Sequence, residues 1–368
     1  MQWVKVEESS APTLASLEPP LHLAKHVSWG DIILEGQATD KDSIRALLQD
    51  AADKGFEEIH WRLSAAVIRD YHQRSPEETW PAYIRRYYQI VDSVYAIFDP
   101  IAEACKIGHE LGLQMLGWLT IFDEGAPPSV LYAGSVPFPW QSKFTIEHPE
   151  YLVRDKQGTP HWGVLEYAYP EARRYMVAQI VDYAQRYDLD GIFISTRTHS
   201  PPAQDADRFG FNSPIVEAYR ERYGQDLLGE NFDRDSWRRL RGEQVTKLLR
   251  ELRAAMPEGK RIAIGIPRGD WFGPPYGNMY IDWRTWVAEG LINELVIGEI
   301  SGKGLYPDVK DYRGYIFDQE AGLGLRPLLE DVEKVFGPPC REHGVRLYVQ
   351  GMDGSPAFWK QLEEGTCG

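Results

Sequence analysis

The chain reads GVLEYAYPEARRYMVAQIVDYAQRYDLDGIFISTRTH from Gly163 to His199, and this stretch decides the fold. Pro170 followed by an acid marks a helix start, because proline fits the first turn and an acid there meets the positive end of the helix dipole. Apolar residues then recur at one-face helical spacing as far as Tyr187, which predicts a helix of about four turns. The apolar run Leu189–Ile194 is typical of a short strand buried on both faces, and polar groups follow it at once. The stretch therefore predicts one βα unit with a ligand at the carboxyl end of its strand.

The same alternation of apolar runs and amphipathic helices recurs along the chain and predicts eight parallel strands. The predicted strands are Asp31–Leu34, Phe56–Leu63, Leu113–Ile121, Leu189–Ile194, Arg261–Ile266, Leu291–Ile297, Tyr312–Phe317 and Arg346–Val349. A loop alone joins the sixth of them to the seventh. Because no internal repeat of about 20 to 50 residues occurs, the sequence predicts the α/β class, as a (β/α)8 TIM barrel with long loops after strands 2, 3 and 4. An open doubly wound sheet is the alternative.

We expect the chain to have two parts. Residues 1–28 carry three prolines and no clear periodicity, so they are predicted to form an N-terminal extension packed on the barrel. Residues 29–368 are predicted to form a single (β/α)8 catalytic domain, because a chain of 368 residues with 43% hydrophobic content can bury one large core. The sequence leaves the oligomeric state open.

Composition argues against several classes of partner. A formal net charge of -15 and the lack of long Lys/Arg runs disfavour nucleic acid, since phosphate binding needs a basic face. No apolar run approaches the ~18 residues of a membrane span and the start does not resemble a signal peptide, so no membrane partner is expected. The three cysteines are widely separated, so disulfides are not expected and a cytoplasmic location is predicted.

Polar side chains gather where the predicted strands end, and barrels of this class build their chemistry there. They are Glu35, Arg62, Asp123, Glu124, Ser195, Arg197, His199, Arg268, Glu299, Asp318, Glu320 and Asp353, with Glu166 just before the third helix. Two carboxyl groups across one cleft can act as a general acid and a base or nucleophile in glycoside cleavage. We predict Glu299, Asp123 and Glu124 as the catalytic residues, because a carboxylate directly after an apolar strand belongs in the mouth. For Glu320 or Asp353 a solvated loop or a helix cap is the simpler interpretation.

A second signal is the set of cationic side chains at the same strand ends. Arg62, Arg197 and Arg268 together with His199 predict a locally positive mouth, and guanidinium groups bind carboxylate or sulfate in bidentate fashion. A bound anionic sugar would explain the set. In the alternative, each arginine pairs with a neighbouring acid and holds a loop, and Glu166 simply anchors the next helix.

Tryptophans supply the remaining part of the predicted site, because their faces suit stacking on sugar rings as well as filling a core. Trp118 or a loop residue such as Trp140 or Trp162 would stack on a ring face. The predicted substrate-binding residues are Arg62, Trp118, Glu166, Arg197, His199, Arg268 and Asp318.

The motifs for a metal or a cofactor are missing from the sequence. It holds no His-Glu-x-x-His and no paired Cys-x-x-Cys, so no metal is predicted. Residues 298–304 resemble a phosphate-binding loop, but the run is one residue short and lacks the Ser or Thr after lysine. No Gly-x-Ser-x-Gly occurs, which removes the nucleophile elbow. We therefore predict no cofactor.

Four motifs follow one another in a fixed order. They are His148-Pro149-Glu150 with Asp155-Lys-Gln-Gly158, then Tyr169–Arg173, Tyr187–Ile192 and Asp282–Ile292. In this order they resemble bacterial glycoside hydrolases of the glycosyl-hydrolase-like family ten type, and the match covers roughly residues 110–300. The resemblance implies a (β/α)8 fold that acts on glycans or glycosides.

The resemblance also bears on individual residues of the fourth strand. Many relatives end this strand in an Asp that serves catalysis or substrate contact, whereas this chain has Ser195, so that role is not transferred. Asp190 does match the family pattern. Because it lies at the start of the strand, we expect it to be structural.

The sequence thus predicts a glycoside hydrolase that cleaves a glycosidic bond in a small saccharide, with a uronic acid as the expected anionic group. Glu299 would donate a proton to the leaving oxygen, and Asp123 or Glu124 would act as base or nucleophile.

Two alternatives belong to other classes of protein. A metal-dependent sugar isomerase or epimerase would surround a divalent ion with Glu35, Glu166, His199 and Glu299. A glycan-binding barrel would bind a saccharide without turning it over.

Overall fold

The structure is a computed structural model that describes residues 22–76, 80, 82–125, 140–196, 206–267, 269–270, 279–298 and 330–349. Its strands are β1 (Ala24–Val27), β2 (Glu58–Arg62), β3 (His72–Arg74), β4 (Gln114–Thr120), β5 (Trp140–Ser142), β6 (Leu152–Arg154), β7 (Pro160–Leu165), β8 (Gly191–Ser195), β9 (Arg261–Ile266), β10 (Glu294–Ile297) and β11 (Arg346–Val349). Its α-helices are α1 (Trp29–Ile32), α2 (Lys41–Asp53), α3 (Ser64–Asp70), α4 (Ala82–Tyr95), α5 (Pro100–Glu110), α6 (Lys143–Glu147), α7 (Pro170–Arg186), α8 (Ser213–Tyr223), α9 (Arg234–Ala255), α10 (Trp283–Ala288) and α11 (Gly337–Glu342). Short 3-10 turns lie at Ile33–Glu35, Pro149–Tyr151 and Ala206–Arg208, and a π-helical turn lies at Asp331–Phe336.

Seven strands form one parallel sheet in the order β1, β2, β4, β8, β9, β10, β11. Each crossover along this order carries at least one helix. Trp118 of β4, Phe193 of β8 and Tyr348 of β11 pack in one buried cluster, against which Ala24 of β1 also packs. Because the first and last strands share this cluster, the sheet curls around its own side chains. The predicted architecture, that of a (β/α)8 barrel, is confirmed.

Within the stretch Gly163–His199, the described residues 163–196 form the predicted helix and the strand that follows it. Helix α7 begins with Pro170 and buries one apolar face that includes Met176 and Ile180. Strand β8 follows with all five residues buried. A side chain at Gly191 would place its Cβ 2.4 Å from the carbonyl oxygen of Arg261, so the close pairing of β8 with β9 requires glycine there.

The prediction of a first strand at Asp31–Leu34 is wrong. These residues lie in α1 and the 3-10 turn behind it, while the first strand of the sheet is Ala24–Val27. The sheet therefore begins inside the segment 1–28 that we predicted as an extension. Trp29 and Ile33 are both buried, at the spacing of one helical turn. A short apolar run does not distinguish such a turn from a strand.

The predicted order of the last strands also changes. Residues 312–317, predicted as the seventh strand, lie outside the described residues. Strand β11, predicted as the eighth, pairs directly with β10 through Glu294 and Arg346, so it takes the seventh place in the sheet. The five predicted strands from Phe56 to Ile297 are confirmed, with ends shifted by a few residues.

Two insertions shape the carboxyl end of the barrel. The segment after β2 carries α3, β3 and α4, and the segment after β4 carries β5, α6, β6 and β7. Strand β3 pairs antiparallel with β5, with His72 opposite Ser142, so the two insertions form one ribbon. None of the helices in the described part of the chain has both the length and the hydropathy that a bilayer crossing needs. The single catalytic domain over 29–368 stays a prediction.

Candidate active site

A cavity of about 190 Å³ lies at the carboxyl ends of β1, β2 and β4. Asp31 follows β1, Arg62 ends β2 and Trp118 lies near the end of β4, and all three line the cavity. The ribbon of β3 and β5 adds His72 and Trp140. The cavity therefore lies at the end of the barrel where enzymes of this fold bind their substrates.

Glu124 is a buried carboxylic acid in the wall of this cavity, 1% exposed. The hydroxyl of Tyr175 donates to its Oε2 at 3.2 Å, and the amide of Ser142 donates to its backbone carbonyl at 2.9 Å. Burial raises the pKa of Glu124 to about 7, against the opposing hydrogen bonds from Ser142 and Tyr175. The negative charge of Asp123 contributes to the rise. A carboxylic acid with such a pKa can deliver a proton near neutral pH.

Asp123 is the neighbouring carboxylate and is only partly buried. Its side chain lines the same cavity as Glu124, so the two predicted carboxylates are brought to one site. The two groups differ in environment, since Glu124 is fully buried whereas Asp123 is only partly buried. Different environments for two nearby carboxyl groups are the usual basis for different roles as acid and as base.

His72 completes the enclosed end of the cavity, and its side chain is 2% exposed. Its Nε2 lies 3.8 Å from Oε2 of Glu124, beyond hydrogen-bond distance. Burial lowers the pKa of His72 to about 4, although the charge of Asp123 acts in the opposite direction. The imidazole is therefore neutral at neutral pH. The sequence did not predict this residue, because its place depends on the pairing of β3 with β5 some 70 residues later.

Arg62 also lines the cavity, and its guanidinium already has partners within the protein. Its Nη1 donates to the hydroxyl of Ser28 at 3.0 Å and lies 3.5 Å from a carboxylate oxygen of Asp31. Its guanidinium carbon lies 5.3 Å from the ring centroid of Trp118, in a cation–π contact. This arrangement fits the alternative prediction, in which the arginine pairs with a neighbouring acid.

Aromatic side chains form much of the rest of the lining. Trp118, Trp140, Tyr83 and Tyr87 all contribute. Tyr83 is 57% exposed, whereas Trp118 is 4% exposed, so the rings extend from the surface into the cavity. Flat apolar rings beside polar groups are typical of sites that hold a sugar.

Glu166 and Glu35 are not brought to this cavity. Glu166 is buried, its Oε1 accepts from the amide of Ala168 at 3.0 Å, and burial raises its pKa against the attraction of Arg241. It thus anchors the turn before α7, as the alternative prediction had it. Glu35 is exposed and accepts a hydrogen bond from Gln37. Trp162, on β7, does not line the cavity either.

Several predicted residues lie outside the described residues. They are Arg197, His199, Arg268, Glu299, Asp318, Glu320 and Asp353. Their roles stay predictions. Ser195 is described and is the buried last residue of β8.

Within the described residues, one group of side chains has the composition of a metal site, and it lies at the opposite end of the barrel. Glu58, His60 and Glu294 offer ligand atoms within 4.8 Å of one another. The guanidinium of Arg261 forms an ion pair with both glutamates. An arginine therefore already supplies the positive charge that a metal ion would bring.

The profile of the family described as glycosyl hydrolase-like 10 matches residues 85–300, more than half of the chain. The chain belongs to the glycosyl hydrolase-like 10 family. The family named from the sequence resemblance is thereby confirmed.

Solved structures support the fold of this glycosyl hydrolase-like protein. The catalytic domain of β-amylase from Paenibacillus polymyxa matches with a TM-score of 0.51 and 12% identity, over 94% of this chain and 89% of that chain. At such low identity the likeness shows the fold alone.

Two further structures match less well. α-L-Fucosidase isoenzyme 2 from Paenibacillus thiaminolyticus has a TM-score of 0.39 and 15% identity, over 75% of this chain and 34% of that chain. The GH36 α-galactosidase of Geobacillus stearothermophilus in complex with stachyose has a TM-score of 0.39 and 12% identity, over 97% of this chain and 42% of that chain. The chain thus spans less than half of these two proteins. It matches none of the curated proteins.

Proposed function

We propose that the chain is a glycoside hydrolase in which Glu124 is the general acid. The observation that carries this proposal is a fully enclosed glutamate, in the wall of a cavity at the carboxyl end of the barrel, whose pKa is raised to about 7. The sequence predicted Glu299 as the proton donor, with Asp123 or Glu124 as base or nucleophile. The proposal moves the role of proton donor to Glu124.

In the proposed reaction Glu124 gives its proton to the leaving glycosidic oxygen. The oxygen departs as an alcohol, and Glu124 is left as a carboxylate that Tyr175 and Ser142 stabilise by hydrogen bonds. A second carboxylate acts on the sugar carbon, directly as nucleophile or by activating water. Asp123 supplies this group among the described residues, and Glu299 stays the predicted alternative.

The described lining supports a neutral saccharide in this part of the cavity. Arg62 is the one permanent cation among the described lining residues, and Asp31 and Ser28 already bind it. Asp123 would repel a carboxylate, and Asp31 already offsets the charge of Arg62. The predicted uronic acid depends on Arg197, Arg268 and His199, outside the described residues, and stays a prediction, as does the cytoplasmic location.

The test compares leaving groups. Wild type, Glu124→Gln and Asp123→Asn are assayed on a panel of neutral and uronic-acid glycosides, each as a methyl glycoside and a 2,4-dinitrophenyl glycoside. Glu124→Gln should lose at least about 10²-fold in turnover on methyl glycosides but far less on dinitrophenyl glycosides, because a good leaving group needs no proton. Asp123→Asn should lose turnover on both.

The control variant is Glu289→Gln. It removes a carboxylate from a surface ion pair and should leave turnover unchanged. Equal losses of Glu124→Gln on both leaving groups would remove it as the acid. A saccharide that stabilises wild type against heat but is never cleaved would indicate the glycan-binding alternative.

The isomerase alternative gains no support from the described residues. Of its four predicted ligands, Glu35 and Glu166 are described and neither lines the cavity. Metal analysis of protein purified without chelator tests directly whether the protein binds the divalent ion that an isomerase of this kind would need.

A further inference from the structure

His60 and His72 are both buried, and they differ in their partners. The Nε2 of His60 lies 2.7 Å from a carboxylate oxygen of Glu58, and its Nδ1 lies 3.0 Å from Nε2 of His26. In contrast, neither ring nitrogen of His72 has a hydrogen-bond partner in the described part of the chain. His72 lines the cavity, whereas His60 does not.

An enclosed imidazole without partners is unfavourable for folding. It has given up its hydrogen bonds to water and gained none from the described part of the protein. Such groups are rare in folded proteins, and those that persist call for a functional explanation. The fold itself does not need a histidine here, because β3 holds β5 through backbone pairing of His72 with Ser142.

We propose that His72 binds a hydroxyl group of the sugar ring that is cleaved, at the enclosed end of the cavity beside Glu124, and so helps to select the sugar. The inference rests on the proposed function. A neutral imidazole offers one donor and one acceptor, and a hydroxyl group can satisfy either. The short separation of His72 from Glu124, 3.8 Å, places such a hydroxyl close to the proton donor.

The charge state of the His72 imidazole also indicates which kind of substrate group it binds. Burial keeps His72 neutral, since its pKa is lowered to about 4. A neutral imidazole brings no positive charge to attract a carboxylate, but it can donate to or accept from a hydroxyl. A site built to hydrogen-bond a hydroxyl discriminates strongly against an analogue that lacks it, because its own polar group is then left unpaired.

The test combines variants of His72 with altered sugars. His72→Phe keeps the ring shape without polar atoms, His72→Gln keeps a donor and an acceptor, and His60→Phe is the matched enclosed control. The substrates are the p-nitrophenyl glycoside that wild type cleaves best and its monodeoxy analogues. Thermal unfolding of each variant is measured alongside kcat/KM.

We expect His72→Phe to lose about tenfold in kcat/KM on the parent glycoside, which corresponds to about one hydrogen bond. On one monodeoxy analogue it should equal wild type, because the partner hydroxyl is already missing. His72→Gln should recover part of the loss. His72→Phe should unfold at the wild-type temperature or above, whereas His60→Phe should unfold below it. Equal losses on the parent and every analogue, or no loss at all, would overturn the inference.

A binding measurement separates this inference from the proposed function. The fluorescence of the cavity tryptophans is titrated with methyl glycosides of neutral sugars and their monodeoxy forms, in wild type and in His72→Phe. If no glycoside is cleaved, the proposed function fails. Binding that is about tenfold weaker in His72→Phe, with no difference for one monodeoxy form, would still support the role of His72. Identical binding curves for wild type and variant would refute that role.

Discussion

The Nη2 atom of Arg261 lies 2.9 Å from Oε2 of Glu58, across the amino end of the barrel. The same guanidinium forms an ion pair with Glu294, the first residue of β10. Burial raises the pKa of Glu58 and of Glu294, and the negative charge of Glu58 raises that of Glu294 further. Arg261 thus compensates two acidic groups that the barrel encloses at the end opposite the candidate active site, and Arg346, 3.9 Å from Glu294, is a second cation beside them.

The first prediction concerns the loss of this arginine. Arg261→Met should lower the free energy of unfolding by about 3–5 kcal/mol, because it removes the nearest cation from the buried Glu58, to which Arg261 is paired at 2.9 Å. Arg250→Met, which breaks a surface pair with Glu289, should cost less than about 1 kcal/mol. Urea unfolding of both variants gives the comparison. Equal and small losses would mean that water reaches Glu58 and Glu294.

The second prediction follows from the raised pKa of Glu294. Because the folded state then keeps a proton that the unfolded state releases above the ordinary value of 4.5, the free energy of unfolding should fall as pH rises above that value. The slope per group reaches at most about 1.4 kcal/mol per pH unit. Glu294→Gln removes one of the groups with a raised pKa and should therefore make the fall of stability with pH less steep than in wild type. Urea unfolding from about pH 5 to about pH 8 measures it, and a slope unchanged from wild type would show that Glu294 does not hold the proton.

The third prediction concerns the pH dependence of activity. If Glu124 must be protonated to act, kcat/KM should fall above about pH 7, the pKa to which burial raises it. Tyr175→Phe removes a hydrogen bond that favours the carboxylate, so it should raise this pKa and move the falling limb to higher pH. Tyr183→Phe is the matched control on the same helix, since its hydroxyl bonds to Asp70 instead. If kcat/KM of Tyr175→Phe falls at the same pH as that of wild type, Glu124 is not the group that controls the pH dependence of activity.

Local patterns were enough to predict most of the barrel. Strand β9 was predicted to the residue, because Ile262–Ile266 is a short apolar run between Lys260-Arg261 and Pro267. The placement of Asp123 and Glu124 in the cavity followed from the rule that residues directly after a barrel strand lie at the end where the chemistry is built. Both results depend on information that lies within a few residues of each position.

Features that depend on distant pairing could not be predicted in this way. His72 reaches the cavity only because β3 pairs with β5, and Arg62 is neutralised by Asp31, from the turn after β1. The segment Asp31–Leu34 was assigned to a strand because four residues are too few to show a helical period. Pairing across the chain therefore decided the site more than the local sequence did.

Two acidic residues of the family motifs make structural contacts. Asp155 accepts hydrogen bonds from the amides of Gln157 and Thr159 in the hairpin loop between β6 and β7. Asp282 caps α10 by accepting from the amide of Thr285. The resemblance thus rests on residues that build the barrel, which explains why it identified the fold without identifying the chemistry.

The last prediction tests this interpretation on Asp190, which the sequence already assigned a structural role. Its Oδ2 accepts from the amide of Met115 at 2.7 Å and lies 3.0 Å from Nε2 of His109, so it ties the start of β8 to β4 and to α5. Asp190→Ala should lower the free energy of unfolding by about 1–3 kcal/mol, because the Met115 amide loses its partner. Its kcat on a cleaved glycoside should match wild type below the unfolding temperature, in contrast to Glu124→Gln. A fall in kcat without a loss of stability would instead assign Asp190 to the chemistry, and would mean that the family motifs mark the active site after all.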